Sequence, residues 1–244
     1  MNIHGFLTLT LLDYPEHLAS VVFLGSCNLR CPFCQNGNLV LAPEQEPCIS
    51  EAEVLAFLKK RRGLLDGVCI SGGEPTLYRE LPDFIRKIKD LGYLVKLDTN
   101  GSNPEMLQYL HQEHLIDYVA MDIKTSPSHY AAVSGLDPEN SRTKHLLENI
   151  FTSVKYLMNS GIDYEFRTTV VDELHHSSDF SEISQWLLGC KRYYLQVYKN
   201  SENILASFED PDISFHAPSK ETLENWCATL RQTIPTVEIR GIDN

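Results

Sequence analysis

Short apolar runs rich in β-branched residues alternate along the chain with segments whose apolar residues recur at helical spacing. Runs of this kind between turn-forming residues predict buried strands. The predicted strands are Ala19–Leu24, Gly67–Ser71, Tyr93–Asp98, Tyr118–Asp122, Tyr164–Val171, Arg192–Tyr198 and, with a weaker pattern, Thr236–Arg240. Because helical segments separate the strands, we expect crossover connections and a parallel sheet.

The helical segments carry residues that fix their ends. Ser50 and Glu53 have the spacing of a capping box, in which each side chain satisfies a backbone amide of the first turn. Asn103 before Pro104 predicts another helix start, and Gly161 predicts a helix end, because glycine readily adopts the left-handed conformation. The six βα units and the extra strand predict an α/β fold, either a partial barrel or an open doubly wound sheet.

The sequence predicts a single domain over residues 1–244, since no repeat, low-complexity tract or linker interrupts it. Residues 1–18 are expected to be a lead-in, residues 19–200 the core of βα units, and residues 201–244 a C-terminal helix with the extra strand. A chain of this length buries enough apolar surface to fold without disulfides.

Composition and charge narrow the class of protein. With 43% hydrophobic and 22% charged residues, the chain is typical of soluble globular proteins. Its 33 acidic and 21 basic residues give a net charge of −12, which disfavours nucleic-acid binding. The chain starts without a basic segment, and the uncharged run Leu18–Leu29 is too short to span a bilayer. We therefore expect a cytoplasmic protein with no membrane partner, in which clustered cysteines bind metal or do redox chemistry.

Three of the seven cysteines follow the first predicted strand within one short loop. Cys27, Cys31 and Cys34 have the spacing C-x3-C-x2-C, and thiolates at such spacing suit an iron–sulfur cluster or zinc. An iron–sulfur cube normally takes four cysteine ligands, so three would leave one iron open to a small molecule. A structural zinc ion would need a fourth ligand, for which His4 or His17 is a candidate.

Glycine-rich or charged motifs come at the ends of the following strands. They are Gly72, Gly73, Glu74 and Pro75 after the second strand, Asp98 and Asn100 after the third, Asp122 and Lys124 after the fourth, Arg167 in the fifth and Gln196 in the sixth. The carboxyl ends of parallel strands meet at one face, so we expect these residues to lie together. An arginine within an apolar strand also requires a carboxylate partner, from the protein or from a cofactor.

The cysteine loop, with Phe33 directly before its last cysteine and a strand directly before the loop, resembles the cluster loop of the radical S-adenosylmethionine (SAM) enzymes. The resemblance implies a partial (βα)6 TIM-like barrel and a [4Fe–4S] cluster bound by Cys27, Cys31 and Cys34. It further implies that the amino and carboxylate groups of SAM bind the fourth iron. The residues that it implies for SAM binding are Phe33, Gln35, Gly72, Gly73, Glu74, Pro75, Asp98, Asn100, Asp122, Lys124, Arg167 and Gln196.

The segment Thr10–Pro15 and the loop through Asn36 resemble one subgroup, the activating proteins of anaerobic ribonucleoside-triphosphate reductases. In these glycyl-radical-enzyme activases, reductive cleavage of SAM gives a 5′-deoxyadenosyl radical, which removes a Cα hydrogen from a glycine of the partner enzyme. The resemblance implies anaerobic ribonucleotide reductase as the partner and flavodoxin or ferredoxin as the electron donor. It implies that Lys124 helps to hold the methionine carboxylate, whereas Lys199 stands where some activases have a histidine that contacts the cofactor.

Two other functions stay open. One is a radical SAM enzyme that acts on a small molecule or a peptide, and the other is a zinc-stabilised binding protein without turnover. The four other cysteines are scattered singly and predict no second cluster; they are Cys48, Cys69, Cys190 and Cys227. The pair His175 and His176 is expected to lie in a surface loop.

Overall fold

Eight strands form one sheet in the computed structural model, which describes residues 1–201 and 204–242. The strands are β1 (Ile3–Thr10), β2 (Ala19–Leu24), β3 (Gly67–Gly72), β4 (Leu94–Thr99), β5 (Tyr118–Asp122), β6 (Asp163–Val170), β7 (Arg192–Val197) and β8 (Thr236–Arg240). Their order in the sheet follows the chain. Strands β2 to β8 pair in parallel, and β1 pairs antiparallel with β2.

Helices connect the parallel strands, as expected for crossover units. They are α1 (Gly37–Leu41), α2 (Glu51–Lys60), α3 (Leu81–Asp90), α4 (Pro104–Gln112), α5 (Tyr130–Val133), α6 (Ser141–Ser160), α7 (Ser177–Trp186) and α8 (Lys220–Leu230). The α/β prediction is confirmed, and the weakly patterned strand is present as β8. In the described part of the chain β1 and β8 are the two edges of the sheet, so the barrel is partial.

Strand β1 lies within the segment that the sequence predicts as a lead-in. Its apolar pattern is irregular because it is an edge strand: Leu7 and Leu9 are exposed, while Ile3 is fully buried. Two irregularities in its register against β2, between Ile3 and Gly5 and between Leu7 and Thr10, further break the alternation. The period-two pattern that predicts strands is therefore weak here.

The parallel strands are almost continuously buried because helices cover them. Val21, Val22 and Leu24 of β2, for example, are at most 1% exposed. The predicted helix ends are also confirmed: Ser50 and Glu53 form a capping box, and Gly161 ends α6 at a φ of 83°. Among the described residues, no helix combines the length and the apolar character needed to cross a membrane.

An ion pair between a half-buried arginine and a buried glutamate joins β8 to β6. The guanidinium of Arg240 binds Glu165 of β6 through two contacts of 2.6 and 2.8 Å. The hydroxyl of Tyr118 donates to the same carboxylate at 2.9 Å. The guanidinium also stacks on the ring of Tyr194, 3.4 Å from its centroid. These contacts hold the edge strand in place although its sequence pattern is weak.

Candidate functional site

The carboxyl ends of β2 to β6 surround a cleft of about 170 Å³. The lining residues are Cys27, Leu29, Cys31, Phe33, Cys34, Gln35, Asn36, Val40, Ser71, Gly72, Gly73, Asp98, Thr99, Asn100, Asp122, Lys124, Arg167 and Thr169. Of the residues that the resemblance implies for cofactor binding, Glu74, Pro75 and Gln196 are outside this lining. The other residues predicted to bind the cluster or SAM all line this cleft.

The cysteine loop is held by its own backbone and by one arginine. The amide of Cys34 donates to the carbonyl of Cys31 at 3.0 Å, and the guanidinium of Arg30 donates to the carbonyl of Cys27 at 2.6 Å. Within the described residues, no three Cys, His, Asp or Glu side chains are arranged to hold a single metal ion. Neither His4 nor His17, the candidate fourth ligands for zinc, lines the cleft.

Two thiols of the loop lie in surroundings that suit a soft inorganic ligand: Cys31 is buried and Cys27 is half-buried. Burial raises the pKa of Cys27 to about 11 and that of Cys31 to about 12. The ammonium of Lys124 acts in the opposite direction on both thiols. Since thiolates are the ligating species, a cluster bound here would supply the positive charge that the protein alone lacks. The donor set therefore fits an iron–sulfur cluster.

Two asparagines attach the cysteine loop to the end of β4. The side-chain Nδ2 of Asn100 donates to Asn28 Oδ1 at 2.9 Å and lies 3.8 Å from the sulfur of Cys27. Asn28 Nδ2 in turn donates to the hydroxyl of Ser102 at 2.8 Å. The sequence pattern does not indicate a role for Asn28 or Ser102. The one feature that points to Asn28 is that a polar side chain lies directly beside Cys27 in the sequence.

A segment from the C-terminal part of the chain covers the other side of the loop. The amide of Leu205 donates to the carbonyl of Cys34 at 2.9 Å, and the amide of Ala206 donates to that of Pro32 at 3.0 Å. Gln35, predicted to bind the cofactor, donates from its side chain to the carbonyl of Lys199. The loop is therefore bound on both flanks by residues distant in sequence.

The two glycines after β3 allow the chain to approach itself closely. A Cβ at Gly73 would lie 1.9 Å from the carbonyl oxygen of Ser26, and one at Gly72 would lie 2.2 Å from that of Leu24. The amide of Gly73 donates to Leu24 at 2.8 Å. At both glycines the space that a side chain would take is filled by backbone, that of Leu24 and Ser26.

Glu74 is completely buried behind the wall of the cleft. Its carboxylate accepts hydrogen bonds from the amide of Asn100 at 2.6 Å and from the hydroxyl of Thr99 at 2.7 Å. Burial raises the pKa of Glu74, although these hydrogen bonds oppose the shift. The side chain thereby joins the ends of β3 and β4. Pro75 is buried at the start of the following turn, and Gln196 lies half-buried on β7.

A continuous network of charges lines the opposite wall. Arg167 contacts Asp98 at 3.1 Å and Asp122 at 2.5 Å, which confirms the expectation that it has carboxylate partners. Lys124 binds Asp122 at 2.9 Å, and the buried Lys96 binds Asp98. Lys96 was not among the predicted site residues, although its period-two spacing from Asp98 places both on one face of β4.

The network has an excess of positive charge, since three cations share two carboxylates. Although burial opposes the shift, Arg167 and Lys124 hold the pKa of Asp122 well below its usual range. Burial disfavours the charged amine of Lys124, but Asp122 outweighs that effect and raises the pKa of Lys124. All of these groups are therefore ionised at neutral pH, and the wall can accept one further anion.

The chain belongs to the radical SAM superfamily, whose sequence model matches residues 21–183, about two thirds of its length. The cofactors of this protein are accordingly a [4Fe–4S] cluster and SAM. The matched residues include the cysteine loop, the two glycines after β3 and the charged network.

Relatives extend the similarity over most of the chain. A candidate glycyl-radical enzyme activating enzyme of Methanocaldococcus jannaschii is 28% identical over 243 residues, covering 99% of this chain and 96% of that protein. A 7-carboxy-7-deazaguanine synthase of Methanopyrus kandleri is also 28% identical, over 211 residues, covering 78% and 77%.

Solved structures share the fold at low sequence identity. A domain of pyruvate-formate lyase-activating enzyme from Bacteroides vulgatus has a TM-score of 0.54 and 17% identity, covering 72% of this chain and 99% of that one. SuiB of Streptococcus suis, bound to SAM, has a TM-score of 0.64 and 13% identity, covering 91% of this chain and 52% of that one.

Proposed function

We propose that the protein is a glycyl-radical-enzyme activase, with an anaerobic ribonucleoside-triphosphate reductase as its partner. One observation carries this proposal: a single cleft has three thiols on one wall and, on the other, a network of charged side chains with an excess of positive charge. Similarity over nearly the full length of the candidate activating enzyme of Methanocaldococcus jannaschii supports the choice of an activase.

In this proposal Cys27, Cys31 and Cys34 hold the cluster. When bound, the cluster supplies the electron that cleaves SAM to the 5′-deoxyadenosyl radical, the species that removes hydrogen from a substrate. The protein's own residues orient the cofactors and exclude competing reactions. Asn100 keeps Cys27 in place on one flank of the loop, and the backbone of Leu205 keeps Cys34 in place on the other.

The charged network is the proposed site for the carboxylate of SAM. Lys124 and Arg167 face the cleft, and their charge exceeds that of the carboxylates that bind them. We assign the amino group of SAM to the backbone at Gly72 and Gly73, which lies beside the cysteine loop. For Glu74, Pro75 and Gln196 we propose support of the walls, since they do not line the cleft.

The partner is proposed to be a protein, and the proposed electron donor is a flavodoxin or ferredoxin in the cytoplasm. Strands β1 and β8 leave the described barrel open between them. An open barrel suits a substrate glycine carried on a loop of another protein. The side chains that line the cleft come from the loop after β2 and from the carboxyl-terminal parts of β3 to β6 with the residues that follow them.

A second function is favoured by one observation. Similarity to the 7-carboxy-7-deazaguanine synthase of Methanopyrus kandleri covers 78% of the chain. This relative supports a radical SAM enzyme that acts on a small molecule within the same cleft. The two functions differ in whether hydrogen is removed from a protein or from a metabolite.

The deciding experiment mixes anaerobically loaded, reduced protein with SAM and a candidate anaerobic reductase. We expect a glycyl radical signal in electron paramagnetic resonance that requires SAM and is lost when the partner's glycine is replaced by alanine. The matched variants are Lys124→Met, expected to weaken the signal, and Lys144→Met on the exposed surface of α6, expected to leave it unchanged. Deoxyadenosine formed only with a small metabolite would contradict activase function and favour the second candidate.

A further inference from the structure

His175 is buried behind Lys124 of the cleft wall, contrary to the surface position that the sequence predicts. Only 2% of the residue is exposed. Its Nε2 lies 2.8 Å from the carbonyl oxygen of Lys124, and its Nδ1 lies 3.1 Å from both the amide nitrogen and the carbonyl oxygen of Val171. Because Nε2 faces only an acceptor, whereas Nδ1 faces a donor as well, the neutral ring carries its proton on Nε2 and accepts the Val171 amide at Nδ1. Burial lowers the pKa of His175, consistent with this neutral form.

Together with a hydrogen bond from Lys124 to Tyr130, the contact with His175 holds both backbone groups of Lys124 in place. The amide of Lys124 donates to the hydroxyl oxygen of Tyr130 at 3.2 Å, and its carbonyl accepts from His175. Both backbone groups of Lys124 are thus bound by buried side chains, and its ammonium is directed to Asp122 at 2.9 Å. A lysine placed at the end of a strand by these contacts has little freedom to turn away from the cleft.

The same imidazole also contacts the wall formed by the cysteine loop. The ring of Phe33 lies edge-on to it, with centroids 6.3 Å apart and planes at 72°. His175 therefore touches one residue of the cysteine loop and one residue of the charged network. It connects these two parts of the site, which belong to chain segments far apart in sequence.

We propose that His175 is a positioning residue for SAM: its Nε2–H fixes the backbone of Lys124 and so directs the ammonium toward the SAM carboxylate. This inference rests on the assignment of Lys124 in the proposed function. It does not depend on which partner or substrate the enzyme uses. Losing the donor would leave a buried carbonyl without its hydrogen bond, and the end of β5 would relax to satisfy it.

Three substitutions separate the hydrogen bond from the packing of the ring. His175→Phe keeps a ring against Phe33 but has no donor. His175→Gln places an amide donor near the position of Nε2, whereas His175→Asn reaches only the position of Nδ1. The exposed neighbour supplies the matched control, His176→Phe.

Each variant is loaded with its cluster anaerobically and tested for iron, sulfide and the dissociation constant of SAM. We expect roughly tenfold weaker SAM binding for His175→Phe and His175→Asn, corresponding to the loss of about one hydrogen bond. His175→Gln should recover most of the affinity, and His176→Phe should bind normally. Iron and sulfide should stay at the wild-type level in all four. The change that SAM induces in the resonance spectrum of the reduced cluster gives a second, direct readout of the bound geometry.

Two results would overturn the inference in distinguishable ways. If Lys124→Met weakens SAM binding but His175→Phe and His175→Asn do not, Lys124 keeps its assigned role and His175 has no positioning role. If Lys124→Met itself binds SAM normally, the assignment of the carboxylate site is wrong and the inference is wrong with it. Should His175→Phe fail to fold, equal affinities of the Gln and Asn variants would overturn the inference alone.

Discussion

The cysteine loop and the charged network face each other across one cleft. The protein supplies partners of opposite charge for the groups of the network, but not for the thiols of the loop. Each charged group of the network contacts a group of opposite sign, as Arg167 does with Asp98 and Asp122. The thiols of the half-buried Cys27 and the buried Cys31 have no such cation in direct contact, and burial raises their pKa values. The network is thus assembled before any cofactor binds, whereas the loop requires a ligand to stabilise its thiolates.

The two regions also differ in how their positions are determined. Network residues stand on neighbouring strands, so register places them: Asp122 pairs directly with Arg167. The loop takes its shape from contacts with distant segments, such as Ser134, whose carbonyl accepts from the amide of Arg30 at 2.9 Å. Strand geometry therefore fixes the anion-binding wall, and tertiary contacts fix the cluster-binding wall.

The largest effect is expected from removing a loop thiol. Cys31→Ala should fold, because alanine fits a buried apolar position, but it should lose its bound iron and sulfide entirely. The control is Cys190→Ala, an equally buried thiol outside the cleft. Iron and sulfide analysis after anaerobic reconstitution measures the difference. Wild-type iron content in Cys31→Ala would refute the role of this residue as a ligand.

Breaking the network should instead reduce stability. Arg167→Met removes the partner that Asp98 and Asp122 share, although Lys96 and Lys124 stay in contact with them. We expect it to lower the free energy of unfolding by about 2–3 kcal/mol, the loss of hydrogen bonds to charged groups. Arg142→Met, on the exposed start of α6, should change it little. Urea unfolding of cluster-free protein gives both values. An equal effect of the two substitutions would show that the network does not stabilise the fold.

The same difference explains how much of the site could be predicted from the sequence. Asp98, Asp122, Lys124 and Arg167 could be identified because alternation and the ends of predicted strands place them at one face. The cysteines could be identified from their spacing.

Contacts made by loops could not be predicted in this way. Asn28, His175 and Leu205 act through partners far along the chain, at Ser102, Lys124 and Cys34. No local period encodes such pairs. Strand β1 was not predicted for a related reason, since an exposed edge strand shows weak alternation.

A smaller effect is expected where the two regions meet. Asn28→Ala removes the hydrogen bonds to Asn100 and Ser102, so we expect a loss of about 1–2 kcal/mol in stability. The loop should also release iron to a chelator several times faster than wild type. The comparison variant is Asn159→Ala, whose side chain bonds within the exposed surface of α6. Unchanged iron release would show that the asparagines do not support the loop.

The smallest effect is a difference in how the stability contributed by the two regions depends on pH, measured on cluster-free protein. The folded state raises the pKa of Cys31 to about 12, whereas an unfolded thiol ionises near pH 8.5. The folded state therefore keeps a proton that the unfolded state releases, and stability falls as pH rises through this window. The carboxyl of Asp122 has a lowered pKa, so its contribution to stability is lost only as pH falls below about 4.

Between about pH 8 and 9.5, urea unfolding should show wild type losing about 1 kcal/mol more than Cys31→Ala. Below about pH 4 the two proteins should lose stability in parallel, and identical alkaline slopes would contradict a buried, protonated Cys31.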